Sequence, residues 1–469
     1  MSVTADLPLL ELESDSGETF PVENPATGET IAEVPRMGVA ETRRALERAE
    51  AALPKWRSLL AKDRARILRR WADLMLERRE DLARLLTLEQ GKPLAEARAE
   101  IDYALSFYEW FAEEGKRVYG DTIPTYASDR RIVVTKHPIG VTVGITPWNF
   151  PAAMPTRKSA PALAAGCTMV LKPAEQTPLT ALAVAQLGLE AGLPEGVLEV
   201  VTGAADDAPV IGGEMTSNPI VRKLGFTGST AVGKLLMEQC ARQVKKVSLE
   251  LGGNAPFIVF DDADLDEAVA GALLCKFRNS GQTCISANRF FVQDRIYDEF
   301  VSRLVDAVSE LKVGNGLEDG TNVGPLIEQQ AIDKVSQHVG DALDRGGELL
   351  LGGAGLGGLF WQPTVIAGVV PGAAMSCEET FGPVVGLARF SSEAEAVRLA
   401  NDTPYGLAAY YYTRDMGRIW RLSEALEFGI LGINTGLVST EVAPFGGVKE
   451  SGIGREGSKY GIEEWLELK

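Results

Sequence analysis

Histidine is scarce in this chain of 469 residues, which contains only His137 and His338. A catalytic pair of a cysteine nucleophile and a histidine base is therefore not favoured by the sequence. The five cysteines form no CxxC pair and are too few and too scattered for a disulfide scaffold. With two distant histidines, a structural zinc site is not expected either. The composition predicts free thiols in a reducing compartment and no bound metal.

Long apolar runs and an excess of positive charge are also missing. No apolar run approaches the ~20 residues of a membrane-spanning helix, and the acidic first twenty residues show no signal-peptide pattern. A net charge of −18 would repel nucleic acid and anionic membranes. We therefore expect a soluble cytoplasmic enzyme that acts on a small molecule, with no nucleic-acid partner and no membrane.

Strands and helices alternate along the middle of the chain. VTVGI, TMVLK, LEVV, VRKLGFTG and KVSLEL have the pattern of strands, and helical segments separate them. This alternation predicts a mostly parallel sheet with helices on both faces, the architecture that binds dinucleotides. The pattern starts again at PFIVF, so a second α/β domain is expected to begin near Leu251. Residues 39–118 are predicted to be helical, and the strand that follows them is expected to project from the body.

Two segments carry candidate catalytic residues. Cys284 ends the segment FRNSGQTC, 34 residues after Glu250 in SLELGG. A thiolate is a nucleophile and a carboxylate can move its proton, although a lone cysteine is more often a small buried apolar residue. Asn149 lies in TPWNFP, where two prolines stiffen the loop. A fixed side-chain amide is a good oxyanion donor, although Asn is also common in ordinary turns.

Other segments indicate a nucleotide site. GFTGSTAVG runs from a strand into a helix, where exposed amides and the Ser229 hydroxyl could hold a diphosphate, and an ordinary turn is the equal alternative. Lys172 and Glu175 follow the strand TMVLK, at the end where open α/β sheets bind ligands. A carboxylate there would accept hydrogen bonds from ribose hydroxyls and repel a 2′-phosphate, unless the pair is simply solvated. The GxGxxG at 353–358 precedes LFWQPT and not a helix, so a surface loop is expected.

The order of motifs along the chain resembles the aldehyde dehydrogenase superfamily. The motifs are TPWNFP, LKPAEQTP, GFTGST, LELGG, GQTC, EETFGP and APFGG, and together they extend over essentially the whole chain. Within the superfamily, KFRNSGQTC, EVAPFGG and SGIGREGSKYGIEEWLELK are most similar to the succinate-semialdehyde dehydrogenases. The resemblance implies an α/β fold with three parts: a Rossmann-type NAD(P)-binding domain (1–118 and 138–250), an α/β catalytic domain (251–440) and a β oligomerisation arm (119–137 and 441–469). It also implies a homodimer or homotetramer.

The resemblance assigns a role to each matching residue. Cys284 is the expected nucleophile, Glu250 the general base and Asn149 the oxyanion donor. The expected substrate-carboxylate ligands are Arg157, Arg278 and Ser439. The expected cofactor contacts are Thr146, Trp148, Lys172, Glu175, Gly228, Ser229, Glu379 and Phe381. The cofactor is expected to be NAD, with NADP as the alternative, because relatives that prefer NADP often have serine in place of Glu175.

The chemistry of these residues supports the same activity. A Cys284 thiolate that attacks an aldehyde gives a tetrahedral oxyanion beside Asn149, hydride transfer leaves a thioester, and Glu250 activates the water that releases the acid. We therefore expect oxidation of succinate semialdehyde to succinate. The alternatives are another ω-semialdehyde, such as glutarate semialdehyde, and a non-catalytic binding protein on the same fold. Ser286 stands where many relatives have a second cysteine, so no regulatory disulfide is expected.

Overall fold

The computed structural model describes residues 7–469. A short hairpin and a layer of four helices come first. Leu68, Trp71 and Met75 recur at helical spacing in the second helix and are fully buried, which explains why this face packs inward. The hairpin consists of β1 (Thr19–Glu23) and β2 (Thr30–Pro35). The predicted helical region is confirmed by α1 (Val39–Ser58), α2 (Ala61–Glu77), α3 (Arg79–Gln90) and α4 (Leu94–Glu114).

Three short strands and an alternating strand–helix region follow. The short strands are β3 (Asp121–Ile123), β4 (Ile132–Val134) and β5 (Lys136–Pro138). Five buried or largely buried strands then alternate with helices, as the sequence predicts. They are β6 (Val141–Ile145), α5 (Ala153–Ala165), β7 (Thr168–Lys172), α6 (Pro178–Glu190), β8 (Leu198–Val200), α7 (Ala208–Ser217), β9 (Val221–Thr227), α8 (Thr230–Ala241) and β10 (Lys246–Glu250).

The second alternating region starts with β11 (Ala255–Val259), close to the predicted boundary. Its remaining elements are α9 (Leu265–Phe277), β12 (Ala287–Gln293), α10 (Tyr297–Ser309), α11 (Gln329–Asp344), β13 (Glu348–Leu351), β14 (Gly355–Gly357), β15 (Phe360–Trp361), β16 (Thr364–Ala367), α12 (Ala374–Cys377), β17 (Val384–Phe390), α13 (Glu393–Asn401), β18 (Ala408–Tyr412), α14 (Met416–Ala425), β19 (Ile430–Ile433), β20 (Gly452–Ile453), α15 (Ser458–Gly461) and β21 (Leu466–Leu468).

The first large sheet has six strands in the order β20-β10-β9-β6-β7-β8. All pairs are parallel except β10 with β20. From β6 the chain builds towards β8 on one side, and it returns through β9 to build towards β10 on the other. The strand order therefore reverses between β6 and β9, and ligands bind beyond the carboxyl ends of strands at such a reversal.

The second large sheet has seven strands in the order β13-β16-β17-β12-β11-β18-β19. Only the edge strand β13 is antiparallel to its neighbour. Phe257, Phe290 and Tyr410 on three adjacent strands are fully buried, and the Phe257 and Phe290 rings stack at 4.9 Å between centroids. Two mostly parallel sheets with packed helices confirm the α/β class.

Two small sheets use the segments predicted to form an arm. β3 pairs with β4, and β5 pairs with β21, both antiparallel. The strand following residue 130 thus contributes two short strands, β4 and β5, and not one continuous strand. The β3–β4 hairpin carries exposed Ile123 and Val133, which are 45% and 62% accessible. The chain therefore places apolar side chains on an exposed two-stranded ribbon.

The glycine-rich segment 353–358 differs slightly from the predicted surface loop. Gly355–Gly357 forms β14, which pairs with β15 in an exposed two-stranded ribbon. No helix starts there, so the GxGxxG spacing has no helix N-terminus to offer a diphosphate.

No helix within residues 7–469 is long and apolar enough to cross a membrane. No group of three or more His, Cys, Asp or Glu side chains in the same residues is placed to hold a metal ion.

Candidate active site

A cavity of about 490 Å³ lies beyond the carboxyl ends of β6, β9 and β10 and is closed on its other side by residues that follow β11. Eleven of the fourteen site residues predicted from the sequence line it, and all three predicted catalytic residues are among them. These eleven are Trp148, Asn149, Arg157, Gly228, Ser229, Glu250, Arg278, Cys284, Glu379, Phe381 and Ser439.

The nucleophile loop, residues 278–284, has an unusual backbone. Asn279 and Ser280 have φ of 53° and 57°, and Gly281 has φ of 74°, so three consecutive residues are left-handed. Such a backbone is unfavourable for residues with a Cβ and persists only where its surroundings hold it. The Asn279 N–H donates to a Glu96 carboxylate oxygen at 2.7 Å, and the Ser280 hydroxyl donates to the Gly324 carbonyl at 2.9 Å. The surrounding protein thus fixes the loop that presents Cys284.

The surroundings of Cys284 favour the protonated thiol. Burial, assisted by the charges of Glu379 and Glu250, raises the pKa of its thiol to about 12. Arg157 and the main-chain amide of Cys284 act in the opposite direction but do not outweigh burial. A thiol attacks a carbonyl only as the thiolate, so a neighbouring group must accept its proton.

Glu250, at the end of β10, can be that acceptor. Both of its carboxylate oxygens are buried and have no hydrogen-bond partner among residues 7–469. Burial and, next in size, the negative charge of Glu456 raise the pKa of Glu250 well above its usual value. A Cβ at Gly446 would lie 2.8 Å from Glu250 Oε1, so this glycine leaves the space that the carboxylate occupies. A buried acid with an elevated pKa is suited to exchanging protons near neutral pH.

Asn149 is held from two sides in the oxyanion loop, residues 146–151. Its side-chain Nδ2 donates to the Gln282 carbonyl at 3.0 Å. Its main-chain oxygen accepts from Lys92 Nζ at 2.8 Å and from Asn279 Nδ2 at 3.0 Å. A donor that is fixed before the reaction needs no reorganisation when negative charge develops, which is the property required of an oxyanion site.

The two arginines of the cavity have different surroundings. Arg157 Nη2 lies 2.9 Å from Glu456 Oε2, and its guanidinium lies 4.1 Å from the centre of the Phe445 ring. The Arg278 guanidinium lies 5.5 Å from the Phe150 ring centre, and no carboxylate of residues 7–469 comes within 4.0 Å of it. Arg278 therefore offers the less compensated positive charge.

The sequence reasoning missed a buried network behind Glu250. Lys158 Nζ donates to Glu456 Oε1 at 2.5 Å and to the Thr227 hydroxyl at 2.6 Å. Although burial alone would raise it, Lys158 and Arg157 hold the pKa of Glu456 below its usual value. The available signal was the pair of adjacent cations, Arg157 and Lys158, on a wholly buried helix, because buried charges need a partner. Nothing in the sequence identified Glu456 as that partner.

The turn between β9 and α8 has the features of a diphosphate site. Ser229 is the N-cap of α8, and its hydroxyl accepts from the Val232 N–H at 3.3 Å. A Cβ at Gly228 would lie 2.4 Å from the Phe226 ring, so only glycine keeps the backbone close to the cavity without displacing that ring. Free amides at a helix N-terminus bind anions.

Glu379 and Phe381 line the cavity near Cys284. Glu379 Oε1 accepts from the Gly253 N–H at 3.1 Å, and burial raises the pKa of its carboxyl to about 7. The Phe381 ring meets the Trp148 ring edge-on, with 5.5 Å between centroids. Phe381 itself has φ of 57°, so its loop is held in a conformation that a side chain rarely adopts.

Thr146, Lys172 and Glu175 do not line this cavity. The Thr146 N–H donates to the Lys172 carbonyl at 3.1 Å, and Lys172 Nζ lies 3.4 Å from Glu175 Oε2. They lie at the carboxyl ends of the adjacent parallel strands β6 and β7, at the same edge of the sheet as Ser229. The amides at the start of α8 could hold a diphosphate, and the Glu175 carboxylate could accept from ribose hydroxyls. Together they fit a dinucleotide that lies along this edge and enters the cavity.

The molecule combines a doubly wound sheet, whose edge fits a dinucleotide, with a cavity that holds a cysteine, a buried acid and a fixed amide. These features define a dehydrogenase that uses a cysteine thiol as its nucleophile. The chain belongs to the aldehyde dehydrogenase family, whose model matches residues 12–469. It is an NAD(P)-dependent aldehyde dehydrogenase.

Characterised relatives are similar over almost their whole length. Glutarate-semialdehyde dehydrogenase of Pseudomonas putida is 62% identical over 458 residues, which cover 98% of this chain and 95% of that protein. The NADP(+) succinate-semialdehyde dehydrogenase of Escherichia coli is 62% identical over 460 residues, with coverage of 98% and 95%. A crystal structure of an E. coli NADP-dependent enzyme superposes with a TM-score of 0.97 at 61% identity and the same coverage.

Proposed function

We propose that the protein oxidises succinate semialdehyde to succinate with NAD(P)+. The observation that carries this proposal is that Cys284, Glu250 and Asn149 line the same cavity as Arg278, whose guanidinium has no carboxylate of residues 7–469 within 4.0 Å. A guanidinium pairs bidentately with a carboxylate. An aldehyde with a carboxylate at its other end would place its carbonyl carbon at the sulfur and its charge at Arg278, with the Ser439 hydroxyl as a further donor.

The residues of the cavity divide the reaction between them. Glu250 takes the proton of the Cys284 thiol, and the sulfur attacks the aldehyde carbon to form a thiohemiacetal. The Asn149 amide and the Cys284 main-chain N–H donate to the oxyanion. NAD(P)+ bound along the sheet edge supplies the hydride acceptor. Loss of the hydride to that acceptor leaves the acyl group on Cys284 as a thioester. Glu250 first passes the thiol proton on to solvent and then deprotonates the water that hydrolyses the thioester.

Glutarate semialdehyde is the second candidate substrate. It differs by one methylene, and relatives named for the two substrates are equally similar to this chain at 62% identity. One methylene usually changes discrimination by only about 1–3 kcal/mol. Arg278 would receive either carboxylate, so overlapping activity is expected.

The test compares charged and uncharged aldehydes. Initial rates are measured with succinate semialdehyde, glutarate semialdehyde and butanal for the native enzyme and for Arg278→Ala. Loss of a charged hydrogen bond of about 1.5–3 kcal/mol should lower kcat/KM for the semialdehydes about 10- to 100-fold and leave butanal unaffected. Arg157→Ala is the comparison: it should slow every substrate, because it also removes one of the two cations paired with Glu456, the carboxylate beside the general base.

Equal losses on butanal and on the semialdehydes in Arg278→Ala would contradict the carboxylate assignment. The ratio of kcat/KM for the four- and five-carbon substrates of the native enzyme then decides between the two candidate semialdehydes.

NAD is the preferred cofactor in this proposal, and NADP is the alternative. The Glu175 carboxylate would repel a 2′-phosphate, but Lys172 Nζ, 3.4 Å away, partly offsets that charge. The NADP-dependent relative and solved structure support use of the second cofactor as well.

The proposal includes an assembly and a location. Residues 119–137 and 441–469 form the oligomerisation arm of a homodimer or homotetramer, the NAD(P)-binding domain comprises 1–118 and 138–250, and the catalytic domain comprises 251–440. The exposed apolar side chains of the β3–β4 hairpin support such an interface. A reducing cytoplasm fits the five cysteines, which are all free thiols.

A further inference from the structure

A buried lysine lies directly behind the oxyanion loop. Lys92, in the turn between α3 and α4, is only 2% exposed. Its ammonium donates to the Asn149 main-chain oxygen at 2.8 Å and to Glu100 Oε2 at 2.5 Å. It also lies 4.0 Å from the centre of the Phe150 ring. Besides its counter-ion Glu100, the ammonium therefore contacts two adjacent residues of the oxyanion loop.

Glu100, the counter-ion, holds the other end of the same loop. Its Oε1 accepts from the N–H groups of Ala152 and Ala153 at 2.9 and 3.2 Å. These amides lie where the oxyanion loop enters α5. The ion pair therefore contacts the loop on both sides of the position from which the Asn149 side chain leaves the backbone.

The same end of α4 also holds the nucleophile loop. Glu96 lies one helical turn before Glu100 and accepts from the Asn279 N–H at 2.7 Å. Asn279 Nδ2 in turn donates to the Asn149 main-chain oxygen at 3.0 Å. That single carbonyl is thus the point where Lys92 and the nucleophile loop meet.

The turn that carries Lys92 is itself fixed against the catalytic half of the chain. Gly91 has φ of 93°, and a Cβ there would lie 2.6 Å from Pro325 Cγ. The Leu94 N–H donates to the Gly316 carbonyl at 2.9 Å. Lys92 therefore projects from a backbone with little freedom to move.

Stability alone does not explain a lysine at this position. Two charges removed from water pay a large desolvation cost, and well-packed apolar residues of similar volume often serve stability equally well. An ammonium does what an apolar side chain cannot: it fixes the direction of a carbonyl group. The carbonyl it fixes belongs to Asn149, which lines the same cavity as Cys284.

We propose that Lys92 is a positioning residue of the reaction, which orients the Asn149 amide by holding the Asn149 carbonyl. The proposal rests on the proposed role of Asn149 as oxyanion donor. Without the ammonium, the Asn149 carbonyl keeps only the hydrogen bond from Asn279 Nδ2, so the peptide group is held less firmly and the side-chain amide shifts with it. A displacement of about 1 Å in a catalytic group can cost about 100-fold in rate.

The experiment is a double-mutant cycle on kcat with succinate semialdehyde and saturating cofactor. It compares the native enzyme, Lys92→Met, Asn149→Ala and the double variant. Removal of an oxyanion donor costs about 100- to 1,000-fold, and Lys92→Met should cost about 10- to 100-fold. Because Lys92 acts through Asn149, the double variant should be no slower than Asn149→Ala alone.

Two controls separate positioning from folding. Lys92→Met leaves the Glu100 charge unpaired, so the whole cycle is repeated in a Glu100→Gln background, which removes that charge. Lys223→Met is the matched control: Lys223 is fully buried, lies 3.3 Å from Glu464 and lies 4.9 Å from the Trp465 ring centre, at the opposite end of β9 from the cavity. It should lose stability and keep kcat close to native.

Alkylation of Cys284 by iodoacetamide supplies a further readout, because that reaction builds no oxyanion. Lys92→Met should retain the native alkylation rate of Cys284 while kcat falls. The proposal is overturned if Lys92→Met keeps the native kcat, if the two losses multiply in the double variant, or if alkylation slows in step with kcat. If Asn149→Ala keeps the native kcat, the oxyanion assignment fails first and the role of Lys92 fails with it.

Discussion

The position of a proton on Glu250 depends on charges that do not touch the substrate. Glu456 opposes ionisation of Glu250, whereas Arg157 and Lys158 favour it. Both cations are themselves paired with Glu456, at 2.9 and 2.5 Å. One buried carboxylate thus acts on the general base directly and also by neutralising the two cations beside it.

The first residue-scale prediction concerns Glu456→Gln. Removing this negative charge stabilises the ionised form of Glu250 and so lowers the pKa of Glu250. Activity requires Glu250 without its proton, so the limb on which kcat/KM rises with pH should move to lower pH. Profiles of kcat/KM against pH measure this, with Glu464→Gln as the control. An unchanged limb, or one moved to higher pH, would show that Glu456 does not control this proton.

The second residue-scale prediction concerns Glu175→Ser. Loss of the carboxylate should raise the NADP/NAD ratio of kcat/KM about 10-fold, which corresponds to about 1.4 kcal/mol of removed repulsion. Steady-state rates with each cofactor measure the ratio. Glu195→Ser, which removes an exposed carboxylate elsewhere, should leave it unchanged. An unaltered ratio in Glu175→Ser would reject the assigned contact with the adenosine ribose.

The residues that sequence reasoning identified lie in segments with a recognisable composition. Cys284 lies in FRNSGQTC and Asn149 lies in TPWNFP, and both residues line the cavity. Lys92 and Glu456 were not identified, because their partners are distant along the chain: 57 residues separate Lys92 from Asn149, and 298 separate Lys158 from Glu456. Such pairs are created by packing and leave no periodic signal.

The nucleophile loop, which carries the Cys284 sulfur, packs backbone to backbone against the loop of Phe381. In the nucleophile loop, a Cβ at Gly281 would lie 2.2 Å from the Gly382 carbonyl oxygen in the loop of Phe381. Movement of one loop therefore changes the other, which links the nucleophile to a predicted cofactor contact.

The element-scale prediction concerns Gly281→Ala. The substitution adds a Cβ at a positive φ and against a backbone atom that cannot easily move. The free energy of unfolding should therefore fall by about 1–3 kcal/mol or more. Alkylation of Cys284 should also slow, because the loop that carries it is displaced. Gly320→Ala is the matched control, because Gly320 has φ of 79° and nothing within 4 Å of its Cβ position. Urea unfolding and alkylation rates measure both effects. Equal behaviour of the two variants would show that the loops are not coupled.

The strands and helices themselves were largely predictable from the sequence. β6, β7, β9 and β10 are short apolar segments between helical stretches, and burial on both faces produces that pattern. β14 and β20 were not predicted. They contain three and two residues, and pairing partners rather than their own composition make them strands.

At the scale of the whole molecule, the net charge of −18 opposes association, so an assembly needs an apolar contact. The β3–β4 hairpin is the proposed contact. Val133→Glu, at a position 62% exposed, should shift the protein towards smaller species in sedimentation velocity. Val210→Glu, at a position 48% exposed on α7, should not. A native chain that sediments as a monomer, or a Val133→Glu variant with native mass, would rule out this interface.

The pairing of β20 with β10 has a consequence for biosynthesis. Leu249 and Glu250 pair with Ile453 and Gly452, and the Leu251 N–H donates to the Ser451 carbonyl at 2.9 Å. A ribosome makes the strand of Glu250 some two hundred residues before the strand that covers its edge. A nascent chain therefore holds an exposed strand edge, a known liability for aggregation, until translation has passed residue 453. Covering of the β10 edge is therefore among the last steps in the synthesis and folding of this enzyme.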